Sequence, residues 1–297
     1  VSNGYWTNRP KFIVSYLKEL YGPNATVEND YMFDMLPKVR LGVNHSFIGI
    51  FEAINEGKIK GMFLWGQNPA VGGPNSVFER EMMRKLDFLV AVDLWETESA
   101  LVWKDPAVDP AESQVEVYML PAACHYEKQG TVSHSGRWIQ WRYQVVDAPG
   151  EAIDDLEIMH RLYKALVAKY EAEGGANPDQ LLKLHWPYER EDGHSDIMKV
   201  AQAINGYKIN PDGSQGDLVP NFTALTADGT TACGNWIYGG YFNNNAAPED
   251  PTKQPTGSRN NEDPSGLKLH PRWAFSWPVN RRILYNRASC DANGRPW

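Results

Sequence analysis

Cysteine is scarce: Cys124, Cys233 and Cys290 stand far apart in 297 residues, with no C-x-x-C pair. That spacing excludes a zinc ribbon or an iron–sulfur cluster held by these thiols alone. No apolar run approaches the roughly 18 residues of a membrane-spanning helix. Positive charge is also in short supply. Lys and Arg number 29 against 37 Asp and Glu, for a net charge of −8. A broad surface for nucleic acid or anionic lipid is thereby disfavoured. There is no G-x-S-x-G elbow, no P-loop lysine and no H-E-x-x-H pair, so the common local signatures of acyl transfer, nucleotide hydrolysis and zinc proteolysis are missing. No basic stretch followed by an apolar one marks a signal peptide. Aromatics are plentiful, with 11 Trp and 14 Tyr, and hydrophobic residues make up 42%. That is enough to bury a core.

The order of segments predicts an α/β fold over about residues 40–175. Ser46–Glu56 has Phe47, Phe51 and Ile54 at helical spacing, with Gly57 as a stop. Met62–Trp65, Phe88–Val92 and Val115–Leu120 are short apolar runs closed by Gly66, Asp93 and Pro121, the pattern of buried strands. Ser76 and Glu79 read as a capping box opening a helix over about 77–86. A long helix over about 153–172 places Leu156, Met159, Tyr163, Leu166 and Val167 at helical spacing. Strands alternating with helices imply a mainly parallel sheet with flanking helices. After Gly174-Gly175 the chain is punctuated by Gly, Pro, Asn and Asp. A long irregular connector is expected there, with few regular elements besides a helix near Ser195–Asn205.

Ligands of open α/β sheets bind beyond the carboxyl ends of the strands. Polar groups gather after all three. Gly66-Gln67-Asn68 and Gly72-Gly73 offer backbone approach and lead into a helix N-terminus suited to a phosphate. An ordinary βα loop has the same look. Asp93 can accept from ribose hydroxyls or a guanine edge, or can simply be a solvated loop acid. Glu127, Lys128, Gly130, Thr131 and Arg137 follow the third run. A Lys, an Arg and a turn glycine suit an anion, although each singly is a common surface residue. Asp154 and Asp155 open the long helix, where negative charge also favours the helix dipole. These groups make a nucleotide-type cradle without a catalytic centre.

Taken together, LWGQNPAVGGPN (64–75), VAVDLWETESA (90–100), MLPAACHYEKQGTVSHSGRWIQWRY (119–143), DDLEIMHRL (154–162), DGTTACGNWIYGG (228–240), DPSGL (263–267) and WAFSWPVNRRILYNRAS (273–289) resemble the large subunit of molybdenum- or tungsten-dependent formate dehydrogenases. That subunit belongs to the bis-molybdopterin guanine dinucleotide oxidoreductases. The resemblance implies that Gly66, Gln67 and Asn68 approach one pterin guanine dinucleotide, and that Asp93, with the backbone at Val92, reads the nucleotide. It implies cofactor contacts for Lys128 and Asp155. His134 stands where many relatives carry Asn, and Gly130, Thr131 and Arg137 match turn positions.

The family's cluster cysteines, its Cys or selenocysteine metal ligand and its substrate arginine are not in these 297 residues. The resemblance therefore implies an internal portion of the subunit with no catalytic residue and no metal ligand of its own. Residues 1–175 would be the later part of the cofactor-binding α/β domain, and 176–297 a connector toward a C-terminal cap. It further implies a Mo or W centre, a [4Fe–4S] cluster elsewhere in the subunit, an iron–sulfur electron-transfer partner, formate as substrate and a periplasmic location. A nitrate, polysulfide or S-/N-oxide reductase, or a non-catalytic scaffold, are the alternatives.

Overall fold

The computed structural model describes residues 9–38, 40–133, 138–242, 274–275 and 293. In chain order these form α1 (Pro10–Tyr21), α2 (Phe47–Asn55), β1 (Gly61–Trp65), α3 (Ser76–Met83), β2 (Phe88–Asp93), β3 (Glu116–Pro121), β4 (Gly130–Ser133), β5 (Trp138–Arg142), α4 (Asp155–Glu173), α5 (Ile197–Asn205), β6 (Tyr207–Ile209), β7 (Gln215–Leu218), β8 (Thr231–Ala232) and β9 (Ala274–Phe275). Two compact units result. One comprises Arg40–Lys128 and Gln144–Ile158; the other comprises Val1–Val39, Gln129–Tyr143 and Met159–Trp297.

In the first unit β1, β2 and β3 pair in parallel in that order. The central strand carries Leu89, Val90, Ala91 and Val92 in succession, and all four are buried. A near-continuous apolar run is what a strand covered on both faces requires. On one face Leu64 and Leu89 join Phe51 and Ile54 of α2 and Met82 and Met83 of α3. On the other, Val90 and Val92 pack with Trp65, Leu120, Ala122, Ile153 and Ile158. Truncating fully buried Leu89 to Ala costs about 2–5 kcal/mol on general grounds. The fold is thus α/β with a parallel sheet and flanking helices, followed by a stretch with few regular elements.

The expected elements are present, with local differences. Ser46 caps α2 by accepting from Gly49 N at 3.2 Å, and Gly57 follows in the left-handed region at φ +69°. Phe51 and Ile54 are buried, whereas Phe47 is 44% exposed, with its ring against that of Phe51. The cap of α3 is Asn75, not Ser76. Asn75 Oδ1 accepts from Phe78 N at 3.4 Å, and Glu79 Oε1 accepts from Asn75 N at 3.2 Å. Asn caps as well as Ser does, so the reciprocal bond closes one residue earlier. The helix also ends at Met83, short of the expected 86.

The long helix α4 departs from the expected stripe. Met159 and Leu166 are exposed, while Ile158 and His160 are buried. A histidine can take a buried position when both ring nitrogens are partnered. Here Trp186 Nε1 donates to Nδ1 at 2.9 Å, and Nε2 lies 3.1 Å from the Gly193 carbonyl.

The second unit contains elements that the sequence pattern did not announce. Helix α1 buries Phe12, Ile13, Val14 and Leu17. Its Ser15 carbonyl accepts from Cys233 N at 2.9 Å, and the Phe12 ring stacks on Trp236 at 4.2 Å. Strands β7, β6 and β8 form an antiparallel sheet, as do β4, β5 and β9. The expected helix near 195–205 is α5. Its cap is Asp196, which accepts from Met198 N and Lys199 N. Among the described residues no helix is long and apolar enough to cross a membrane.

Candidate functional site at the strand carboxyl ends

The three strands of the α/β unit release the chain at one edge of the sheet, and the sequence-predicted groups lie there. After Trp65 the chain turns at Gly66, with φ +58°, a conformation that costs an L side chain energy but suits glycine. Gly66 N donates to the Val92 carbonyl at 2.9 Å, which continues the β1–β2 ladder by one bond. A Cβ built at Gly66 or Gly72 would meet nothing within 4 Å, so a ligand can approach the backbone closely at both. Gln67 is exposed. Gly73 is different, because a Cβ there would overlap the buried Glu79 carboxylate.

Asn68 faces inward to the second loop. Its Oδ1 accepts from Ser99 Oγ at 2.7 Å and from Ser99 N at 3.2 Å, and its Nδ2 donates to Glu98 Oε2 at 2.6 Å. That hydrogen bond holds the Glu98 carboxyl below its ordinary range. Ser99 Oγ in turn accepts from Ala70 N at 3.0 Å. Asp93 closes β2, half-buried, and its Oδ1 accepts from Leu94 N at 2.8 Å. Beyond it Leu94 and Trp95 are exposed.

The third strand end is built by a returning segment. Ala123 N donates to the Ile153 carbonyl at 2.8 Å, and Ile153 N to Pro121 O at 3.2 Å. This pairing delivers Asp154 and Asp155 to the sheet edge. Asp155 accepts from Trp65 Nε1 at 2.9 Å through Oδ1 and forms an ion pair with Lys128 through Oδ2. Asp154 Oδ1 accepts from Leu156 N at 2.7 Å. Burial raises the Asp154 pKa, opposed by the Leu156 N–H and the Lys128 charge. Glu127 serves the turn: its Oε2 accepts from Cys124 N at 2.8 Å.

Of the seven sequence-predicted residues, the structure joins Lys128 to Asp155 and Gly66 to Val92. It ties Asn68 to the second loop and leaves Gln67 exposed. No hydrogen bond joins Asp93 to the Lys128–Asp155 pair among the described residues. Gly130 and Thr131 lie on β4, while His134 and Arg137 fall outside the described residues. Sequence reasoning missed Ser99, Glu98 and the indole N–H of Trp65. Trp65 had been read only as the last apolar residue of a strand. The second acid and the serine of E-T-E-S-A were the available signal for the other two.

The donor set suits a nucleotide. Amide and carboxylate groups match a guanine edge and ribose hydroxyls, open glycine backbone suits a pyrophosphate, and an ammonium stands nearby. Among the described residues, no group of three His, Cys, Asp or Glu is placed to hold a metal ion. A parallel sheet with polar groups gathered at the carboxyl ends of its strands defines the class as an open α/β protein, the kind that binds ligands at that position.

Comparison with known proteins narrows that class. Residues 20–165 match the family described as molybdopterin oxidoreductase. The alpha subunit of formate dehydrogenase 2 (cytochrome c-553) of Nitratidesulfovibrio vulgaris is 40% identical over 100% of the chain. The major subunit of the nitrate-inducible formate dehydrogenase of Escherichia coli is 39% identical over 99%. The chain spans 29% of the length of each of these relatives. The assimilatory nitrate reductase catalytic subunit of Bacillus subtilis is 35% identical over 45% of the chain and 16% of its own length.

Proposed function

We propose that this chain is the cofactor-holding portion of a formate dehydrogenase alpha subunit, one that oxidises formate to carbon dioxide with release of two electrons and a proton. The observation that carries the reading is the gathering of Gly66, Gln67, Asp93 and the Lys128–Asp155 pair at one sheet edge. Its support is a likeness to formate dehydrogenase subunits that runs through the whole chain, whereas the nitrate reductase likeness covers under half. The cofactor is bis-molybdopterin guanine dinucleotide with Mo or W, and when bound it supplies the two-electron chemistry.

The residues of this chain bind and orient. Gly66 and Gln67 present backbone and amide groups to the dinucleotide. Asp93 accepts from the guanine or ribose. Lys128, fixed by Asp155, sets a positive charge at the third strand end. In this proposal a [4Fe–4S] cluster belongs to other parts of the subunit, an iron–sulfur subunit takes the electrons, and the enzyme works in the periplasm. Those last assignments rest on the resemblance to molybdenum- or tungsten-dependent formate dehydrogenases.

The test uses the full-length subunit in its purified enzyme. Acid treatment should release GMP, and formate should reduce a viologen dye. Asp93→Ala should lower the GMP released, by loss of a charge-assisted contact worth about 1.5–3 kcal/mol. An enzyme that releases no GMP, or that turns over nitrate and leaves formate untouched, overturns the proposal.

A further inference from the structure

The Asn68 side chain is almost fully engaged. Both acceptor positions of its Oδ1 are taken by Ser99, and one amide hydrogen goes to Glu98. Its main-chain carbonyl is taken as well, by Val71 N at 3.2 Å and Gly72 N at 2.8 Å. On the other side of Gln67, Gly66 N is held by the Val92 carbonyl. The first strand-end loop is therefore anchored on both sides of Gln67, and the exposed stretch between is only Gly66 and Gln67. Ser99 is fully buried, and its hydroxyl is used twice, donating to Asn68 Oδ1 and accepting from Ala70 N. A buried hydroxyl used in both directions fixes the groups on either side of it more firmly than a single contact does.

We propose that Ser99, seconded by Glu98, is a positioning residue for the cofactor. It clasps Asn68 and Ala70 from behind and holds Gly66 and Gln67 in the one conformation that receives the dinucleotide. Asn68 is then part of the clasp and not a direct ligand. This inference rests on the reading of the strand-end loops as the dinucleotide site. Its physical content is preorganisation: a loop held rigid before binding gives up less freedom when the ligand arrives. A hydroxyl is required at this buried position because alanine there would leave Ala70 N without its acceptor and Asn68 Oδ1 with only the Ser99 N–H.

The experiment measures nucleotide retention in the full-length holoenzyme. GMP released by acid is followed over time after removal of free small molecules, for wild type, Ser99→Ala, Ser99→Thr and Glu98→Ala. Ser99→Ala should lose its nucleotide about tenfold faster, a change of about 1.4 kcal/mol. Ser99→Thr keeps the hydroxyl and should restore retention. Glu98→Ala changes an exposed side chain, and should lose nucleotide about threefold faster with an unchanged melting temperature. It carries the test if Ser99→Ala does not fold. Retention equal to wild type in the Ser99→Ala or Glu98→Ala enzyme overturns the inference, and so does loss in Ser99→Thr equal to that in Ser99→Ala. A wild-type enzyme that releases no GMP fails the site reading itself, a result distinct from both.

Discussion

Lys128, from the turn after β3, and Asp155, the first residue of α4, meet as an ion pair, with the Trp65 indole N–H on the other carboxylate oxygen. The resemblance implies a cofactor contact for each. The pairing joins them in one device: the carboxylate fixes where the ammonium stands, and the indole fixes where the carboxylate stands. Removing one member exposes the others to a changed charge balance. Asp154 feels it as well, since Lys128 is one of the influences that hold its pKa down.

That coupling is measurable. Lys128→Met and Asp155→Asn, singly and together, form a double-mutant cycle read by urea unfolding of the subunit. Both side chains are about a third exposed, so solvent screening limits the coupling to about 1 kcal/mol. Asp155→Asn keeps an acceptor for Trp65 and should be the milder single change. In the holoenzyme, Lys128→Met should lower kcat with formate and leave the formate KM nearly constant, because the proposed role sets its charge against the cofactor and not against formate. Additive stability effects would show that the ion pair does not act as a unit, and a rise in KM at constant kcat would put Lys128 at the substrate.

Adjacent glycines in one loop have opposite reasons to be glycine. A Cβ at Gly73 overlaps the buried Glu79 carboxylate, whereas one at Gly72 meets nothing within 4 Å. Gly73→Ala must push a buried charged side chain aside and should cost about 2–3 kcal/mol. Gly72→Ala should leave the melting temperature within a degree or two of wild type. If the dinucleotide approaches that backbone, Gly72→Ala should nonetheless lower the GMP recovered from the holoenzyme. Stability and nucleotide content then separate at one position. Full GMP content in Gly72→Ala would remove this glycine from the site.

The strand ends were legible because burial imposes a pattern on sequence. Leu89–Val92 had to be apolar on both faces, and Gly66 and Asp93 mark where that demand stops. The clasp of Asn68 by Ser99 was not legible, because a short polar side chain looks alike whether it faces solvent or a neighbouring loop. The buried side of α4 was misplaced for a related reason. Spacing marks apolar positions, but His160 is buried by hydrogen bonds and Leu166 is left outside. The sheet of β6, β7 and β8 escaped notice because its strands are two to four residues long, too short for alternation to register.

Asp154 gives a pH test. Burial raises its pKa from the ordinary aspartate value of 3.8, so the folded state holds this proton more tightly than the unfolded state does. Its contribution to stability is therefore greatest at low pH. It declines as pH rises from 3.8 through the raised pKa, and stays at its lower value at neutral pH. Asp154→Asn removes the titration and keeps an oxygen to accept from Leu156 N. The variant should lack that part of the decline and, at pH 7, should melt no lower than wild type and by preference slightly higher. Thermal denaturation in steps from pH 3.5 to 7 compares the two curves. The difference should grow with rising pH in the variant's favour. If instead wild type gains on the variant as pH rises, the ionised carboxylate is favoured in the fold, and the Lys128 charge outweighs burial at this position.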